Sequence, residues 1–273
     1  MALSKKLLTV LDTDIHIHRL SIDVDVRDAI CSEFLGTQPN AICSFSLVEL
    51  KGNYIQKLVL LRRKTGESQS ISDLIARIQN TGGRQCTLMI SQLFYFLELH
   101  NTQSHNWRKT KNILLTLIDA QIDIAWEGFR INVTEILDDI DCTRATEEPE
   151  EKDGIWKVHI PRCTKENTNC SINDYILRHR TLLSEFVSYY DELPINSKTK
   201  ELDVICVAIT ATLQEKRFPW DRRICRKTGD LIIALQSIQC KELLSSNYKE
   251  QIHLSACFKY KFRKFPIASI RRK

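Results

Sequence analysis

The chain has little glycine and lacks the short motifs of the common nucleotide-binding and hydrolytic sites. Only 8 of its 273 residues are glycine, and no GxxxxGK(S/T), GxGxxG, HExxH or GxSxG pattern occurs, which argues against a glycine-rich phosphate loop and a serine or zinc hydrolase. No apolar run approaches the roughly 18 residues of a membrane span. Asp12 and Asp14 interrupt the first apolar segment, so it does not fit a secretory signal, and we expect a cytoplasmic protein without a membrane partner.

The cysteines lack the paired spacing of a disulfide or zinc framework. There are 10 of them, but no CxxC pair occurs. Several, such as Cys206, lie within apolar runs, so we expect buried, reduced thiols that pack as small hydrophobic groups. A zinc site formed by His159, Cys163 and Cys170 is the alternative, although their spacing fits no usual ligand pattern.

The positive charge is concentrated in two segments. The formal net charge is +5, and residues 259–273 contain seven basic residues and no acid, with Tyr260, Phe262 and Phe265 interleaved. Residues 216–227 hold six more basic residues with two aromatics. Such segments suit single-stranded RNA, or DNA, although each could also be an ordinary solvated stretch. The predicted nucleic-acid-binding residues are Arg217, Arg222, Arg223, Arg226, Lys227, Lys261, Arg263 and Lys264.

Strand and helix patterns alternate at both ends of the chain, which predicts an α/β fold with a parallel sheet. The middle shows mainly helical spacing, with strand-like stretches at 130–133 and 156–160. We therefore predict a core formed by residues 1–58 and 200–273, with a large and mostly helical insertion at 59–199. The predicted core elements are strands at 5–12, 40–45 and 243–245 and helices at 23–35, 47–61, 200–215 and 230–239.

Acidic and amide side chains stand at strand ends and predicted helix starts of this core. Asp12 ends the first strand, Glu49 follows a predicted N-cap at Ser46, and Asp230 would open its helix. Carboxyl ends of parallel strands share one edge of a sheet, so these groups could converge on Mg²⁺ or Mn²⁺, for which oxygen ligands are suited. Each acid could instead be a simple helix-start residue. The predicted catalytic residues are Asp12, Glu49, Asp230, Asn247 and Glu250, and the first four are the predicted metal ligands.

The ordered set of motifs resembles the PIN-domain nucleases, particularly the small VapC-type endoribonucleases. Val10–Ile15 is similar to the family's opening strand and first metal-binding Asp, and Ser46–Gly52 to its helix with the conserved Glu. Asp230–Ala234 is similar to the third acid with its apolar helix, and Leu244–Glu250 to the closing strand and turn. The resemblance covers residues 5–58 and 200–255 and implies a small parallel sheet between helices.

The resemblance also implies divalent-metal-dependent cleavage of a phosphodiester bond, usually in RNA. The chain would then be an endoribonuclease, for example a toxin or a defence effector. Two departures from the family stand out: Asn247 occupies a position where many members carry an acid, and residues 59–199 are far longer than the equivalent in compact members. The insertion could bind a regulatory protein, and a homodimer is expected because family members often dimerise. The alternative function is a non-catalytic PIN-like module that binds nucleic acid or a protein.

Overall fold

The chain forms two compact units in the computed structural model. The first comprises Met1–Val48, Val133–Glu147 and Pro161–Lys273, and the second comprises Glu49–Asn132 and Glu148–Ile160. The structure describes residues 7–20, 24–33, 38–99, 106–140, 142, 149–152, 155–158, 171–215 and 222–266. The boundaries suggested by the sequence, 1–58, 59–199 and 200–273, stay a prediction.

Seven strands are present in the described residues. They are β1 (Thr9–Leu11), β2 (Asn40–Cys43), β3 (Glu135–Leu137), β4 (Glu150–Lys152), β5 (Ile155–Lys157), β6 (Glu242–Ser245) and β7 (Phe262–Lys264). Five of them form one parallel sheet in the order β3-β2-β1-β6-β7. The predicted α/β class, with helices flanking a parallel sheet, is therefore confirmed.

Among the described residues, the first unit contains α1 (Thr13–Arg19), α2 (Val24–Glu33) and five helices that lie after residue 170. The intervening helices are α3 (Ser44–Leu50), α4 (Gln56–Glu67), α5 (Ile71–Gln79), α6 (Gly83–Leu99) and α7 (Trp107–Asn132). A π-helical turn, Lys51–Ile55, joins α3 to α4. The later helices are α8 (Ser171–Arg178), α9 (Arg180–Glu192), α10 (Lys200–Glu215), α11 (Arg222–Ser237) and α12 (Tyr248–Phe258).

The two faces of the central sheet carry separate apolar cores. Side chains alternate between the faces along a strand. Val10 and Leu243 belong to the larger core, which includes residues of α8 to α12, while Leu11 and Leu244 belong to a smaller core with residues of α1 and α2. Burial on both faces explains why β1, β2 and β6 are short, continuously buried runs, as is typical of parallel strands.

Two boundaries near the middle of the chain differ from the prediction. Helix α3 begins at Ser44, directly after β2, so the predicted N-cap at Ser46 is wrong: Ser46 is buried inside the helix, and Glu49 lies in its last turn. The predicted strand at 130–133 is also wrong, because α7 continues to Asn132. The buried side chains of Ile122, Ala125 and Phe129 maintain helical spacing up to that end.

The second unit is built mainly from α4 to α7, with β4 and β5 pairing as an antiparallel hairpin. Buried Leu58 and Leu61 of α4 belong to its apolar interior, as do Leu114 and Ile118 of α7. An ion pair also joins these two helices, Arg62 Nε donating to Asp119 Oδ1 at 2.5 Å. The predominance of helix in this part of the chain agrees with the spacing of its apolar residues.

Cys206 is a free thiol and is buried, as expected for a small hydrophobic side chain. His159, Cys163 and Cys170, the alternative zinc ligands, lie outside the described residues. None of the described helices combines the length and the apolar character that crossing a bilayer requires.

Candidate functional site

The order of the strands creates a topological switch point between β1 and β6. These strands are neighbours at the centre of the sheet, but the chain leaving β1 continues outward to β2, whereas the chain leaving β6 continues outward to β7. In open parallel sheets, ligands bind in the crevice outside the carboxyl ends of strands at such a point. Asp12 follows β1, and Ser246 and Asn247 follow β6, so the sheet places these residues at the expected edge.

Asp12 is held rigidly at the end of β1. Its residue is 4% exposed, its Oδ1 accepts from the backbone N–H of Thr13 at 2.6 Å, and its Oδ2 accepts from the Ser245 hydroxyl at 2.7 Å. Its own backbone N–H donates to the carbonyl of Leu244 at 3.0 Å. Asp12 therefore caps α1, as the simple interpretation of its position predicted, and is also tied to the end of β6.

Asp14 lies in the same cluster, although it is not among the site residues predicted from the sequence. Its Oδ2 accepts from the backbone N–H of Ser246 at 2.8 Å and from the Ser246 hydroxyl. Its Oδ1 is buried and has no hydrogen-bond partner among the described residues. Burial raises the pKa of the Asp14 carboxyl, and the bonds from Ser246 and the charge of His18 oppose the rise. Its position two residues after Asp12 was the available signal.

Asp230 lies in the interior of α11, so the prediction that it opens a helix is wrong. The helix begins at Arg222 because Ile224, Cys225 and Thr228 extend the buried face of Leu231 toward the N-terminus at helical spacing. Gly229, interpreted as a boundary, is part of the helix. A role as a helix-start acid is therefore excluded for Asp230.

Asn247 connects Asp230 to the cluster around Asp12. Its Nδ2 donates to Asp230 Oδ1 at 3.3 Å, and its backbone N–H donates to the Ser245 hydroxyl at 2.9 Å. Ser245 in turn donates to Asp12, so hydrogen bonds run from one carboxylate to the other through Ser245 and Asn247. An aspartate at position 247 would repel Asp230, whereas the amide of Asn247 stabilises the carboxylate without a cation.

Besides burial, the charges of Asp12 and Asp230 both affect the pKa of Tyr260. Its hydroxyl is buried and donates to Gln251 Oε1 at 2.7 Å. Burial raises the pKa of Tyr260, and the negative charges of Asp12 and Asp230 raise it further, so both carboxylates act on one phenol. In the sequence, Tyr260 stands out only as an aromatic residue within a basic segment, because its partners are distant along the chain.

For the other two predicted catalytic acids, Glu250 and Glu49, the structure gives a helix position and a degree of burial. Glu250 is buried in the first turn of α12, three residues after Asn247. Glu49 is half-buried in α3 and is the first residue of the second unit. The structure thus brings Asp12, Asp230 and Asn247 into one hydrogen-bonded cluster with Ser245. Over the described ranges, no group of three or more His, Cys, Asp or Glu residues is arranged to hold a metal ion.

The predicted nucleic-acid-binding residues fall into different environments. Lys261 and Arg263 each lie 3.1 Å from buried Glu242, so both have a structural partner at the edge of the sheet. Lys227 pairs with Glu201 at 3.1 Å, and Arg226 is exposed. Their contacts with nucleic acid stay predictions. Arg217 lies outside the described residues, as do the side chains of Arg222 and Arg223, whose backbone is helical; Lys264 lies on β7.

Comparison with known proteins identifies no relative. No protein-family model, no curated protein and no solved structure matches the chain. The resemblance to PIN-domain nucleases therefore rests on the sequence motifs alone.

Proposed function

We propose that the chain is a PIN-like, divalent-metal-dependent endoribonuclease with a helical insertion. The observation that supports this most is the linked pair of carboxylates, Asp12 and Asp230, at the switch point of a parallel sheet. The proposal includes a cytoplasmic location. It also includes a regulatory protein partner bound through residues 59–199 and, separately, a homodimer of the chain.

The donor set fits Mg²⁺ or Mn²⁺ bound by few protein ligands. Mg²⁺ is commonly held by one or two carboxylates, with water and substrate phosphate completing its shell. Asp12 and Asp230 would supply the carboxylates. The buried Oδ1 of Asp14, which has no hydrogen-bond partner within the described part of the chain, is an additional oxygen of the right chemistry. Asn247 directs its Nδ2 at Asp230, which leaves the amide oxygen as a further donor. Glu49, the remaining metal ligand predicted from the sequence, belongs to the second unit.

Each residue then has a definable task. A bound divalent cation would lower the pKa of a water and neutralise charge on the scissile phosphate. Ser245 and Asn247 hold the two carboxylates in fixed orientations, which reduces the reorganisation needed during the reaction. Tyr260 stays protonated and holds Gln251, whose Nε2 lies 3.5 Å from the carbonyl oxygen of Asp230.

The decisive experiment is cleavage of labelled single-stranded RNA with Mn²⁺, compared with the same reaction in EDTA. Asp12→Asn and Asp230→Asn should lower the rate about 100-fold or more, because several kcal/mol of charge stabilisation is lost. Asparagine remains a good N-cap, so Asp12→Asn should keep α1 folded. Asp174→Asn, at an exposed acid on α8, is the matched control and should cleave normally. Cleavage that survives both site variants, or EDTA, would refute the proposal.

A non-catalytic module that binds nucleic acid or protein is the second candidate. Asn247 favours this second function. Its neutral amide donates to Asp230, whereas an acid at this position would add a negative charge that a metal ion would have to screen. This function predicts that the purified protein cleaves no RNA or DNA with any divalent cation, yet binds some of these nucleic acids. It also predicts that Asp12→Asn and Asp230→Asn bind nucleic acid as well as the wild type does. Metal-dependent cleavage abolished by both variants would exclude it.

A further inference from the structure

An exposed aromatic residue immediately follows Asn247 of the carboxylate cluster in the chain. Tyr248 opens α12 and is 44% exposed. Its neighbour in the chain, Asn247, donates to Asp230, so the ring projects from the same turn that fixes the cluster. A single exposed aromatic residue is ordinary on a protein surface. Tyr248 is of interest because of the charged groups around it.

The ammonium group of Lys264 lies over that ring. Lys264 Nζ is 4.5 Å from the centroid of Tyr248, a cation–π distance. Lys264 ends β7 and is in register with Ser245, whose hydroxyl holds Asp12. Neighbouring strands are about 4.8 Å apart, so the lysine starts one strand away from the cluster. The ring and the ammonium group therefore share the edge of the sheet at which the carboxylates lie.

The charges around this edge distinguish Lys264 from its neighbours. Lys261 and Arg263 are each paired with Glu242, whereas Lys264 has no carboxylate partner among the described residues. Lys249, the residue that follows Tyr248 in the chain, is also exposed. An acidic site bordered by lysines suits a phosphate backbone that approaches it.

We propose that Tyr248 and Lys264 form a subsite for single-stranded nucleic acid, in which the ring stacks on one base and the ammonium contacts an adjacent phosphate. The subsite rests on the proposed function, because it places the strand beside the same carboxylates. Stacking on an aromatic side chain requires an unpaired base, so a duplex does not use the subsite. RNA and DNA single strands present the same base and phosphate chemistry to these two residues.

Binding in EDTA tests the subsite without cleavage. The probes are fluorescein-labelled 12-mers of oligouridylate and oligodeoxythymidylate, an abasic 12-mer with the same deoxyribose backbone, and a duplex, followed by fluorescence anisotropy. Tyr248→Ala should weaken binding of both base-containing single strands about 5- to 150-fold, the range for one stacked base, and leave the abasic strand within about twofold. Tyr248→Phe should restore binding, because it keeps the ring.

Lys264→Ala should weaken binding of every single strand, including the abasic one. It should also reduce the slope of log K against log salt by about 0.7, the value for one lost phosphate contact on a single strand. Ile252→Ala is the matched control, because Ile252 is exposed on α12 and does not belong to the subsite. It should bind like the wild type, and thermal unfolding should show that all variants are folded.

Three results would overturn the subsite. They are equal weakening of the abasic and base-containing strands by Tyr248→Ala, wild-type affinity of Tyr248→Ala, and a duplex that depends on Tyr248 as strongly as single strands do. The proposed nuclease function can fail independently of the subsite. Base-dependent binding through Tyr248 with no cleavage in Mn²⁺ would support the subsite and refute the nuclease function. Cleavage with Tyr248 irrelevant to binding would do the reverse.

Discussion

Ser245→Ala tests whether the carboxylate cluster is a cooperative structural unit. The Ser245 hydroxyl is fully buried, donates to Asp12 at 2.7 Å and accepts from the backbone N–H of Asn247 at 2.9 Å. Alanine removes only the oxygen, so the change creates almost no cavity and leaves both partners in place. The loss of stability then measures the two hydrogen bonds and the desolvation of the groups that lose them.

The expected magnitude follows from these two contacts. A hydrogen bond to a charged group contributes about 1.5–3 kcal/mol, and a neutral one about 0.5–1.5 kcal/mol. Because Asp12 is buried, water cannot readily replace the lost donor. We expect Ser245→Ala to lower the free energy of unfolding by about 2–4 kcal/mol. Ser184→Ala, an exposed helical serine bonded to the carbonyl of Arg180, should change it by less than about 0.5 kcal/mol.

Urea unfolding followed by circular dichroism and tryptophan fluorescence provides the measurement. Coincident transitions would establish that one free energy describes the change. A double-mutant cycle with Asp12→Asn should give a coupling energy of about 1–2 kcal/mol, whereas Asp12→Asn with Ser184→Ala should be additive within about 0.5 kcal/mol. Equal effects of Ser245→Ala and Ser184→Ala, or additivity in both cycles, would refute the inferred coupling.

Three further predictions concern groups around and beyond the site. Burial lowers the pKa of His16 to about 3, so below pH 6.5 the unfolded chain binds a proton that the folded chain does not, and the free energy of unfolding falls by about 1.4 kcal/mol per pH unit. In urea titrations from pH 7.5 to 5, the free energy of unfolding of His16→Gln should therefore depend less steeply on pH than that of the wild type. Equal slopes for the two proteins would contradict this prediction. Because the pKa of Tyr260 is raised in the folded protein, the stabilisation that its protonated hydroxyl provides is lost as pH rises above about 10. The difference in free energy of unfolding between the wild type and Tyr260→Phe should therefore narrow between pH 9 and 11. A constant difference would contradict this prediction. Ser70 accepts from the backbone N–H of Asp73 at 3.0 Å and caps α5, so Ser70→Ala should cost about 1 kcal/mol in urea unfolding while exposed Ser72→Ala costs almost nothing; similar values for the two would exclude the cap.

Local sequence patterns were sufficient for the elements with a continuous apolar signal. The strands around Val10 and Leu243 were found because burial on both faces requires an unbroken apolar run. Asp12 was placed correctly at the end of β1 for the same reason, since the acid interrupts that run. Helix boundaries were predicted less well: the glycine at 229 resembled a helix start, but a glycine can lie inside a helix whose apolar face continues past it.

Contacts between distant parts of the chain account for what the sequence did not indicate. The segment from 259 to 273 suggested a basic tail, yet Phe262–Lys264 forms a strand because β6 supplies its hydrogen-bonding partner and Glu242 neutralises Lys261 and Arg263. No pattern within that segment encodes these partners. The pairing of Lys264 with Tyr248 was equally invisible, since it depends on the register of β7 against β6.

The sequence by itself determined the class of the fold, the strands that form its centre and the positions of the acids along the chain, because apolar periodicity and strand ends are local properties. Only the tertiary structure decided that Asp12 and Asp230 would be joined through Ser245 and Asn247, that Asp14 would be buried with them, and that Tyr260 would lie within range of both carboxylates. The physical reason is the order of the strands: β1 and β6 become neighbours only when the parallel sheet is assembled, and residues more than two hundred positions apart then share one edge.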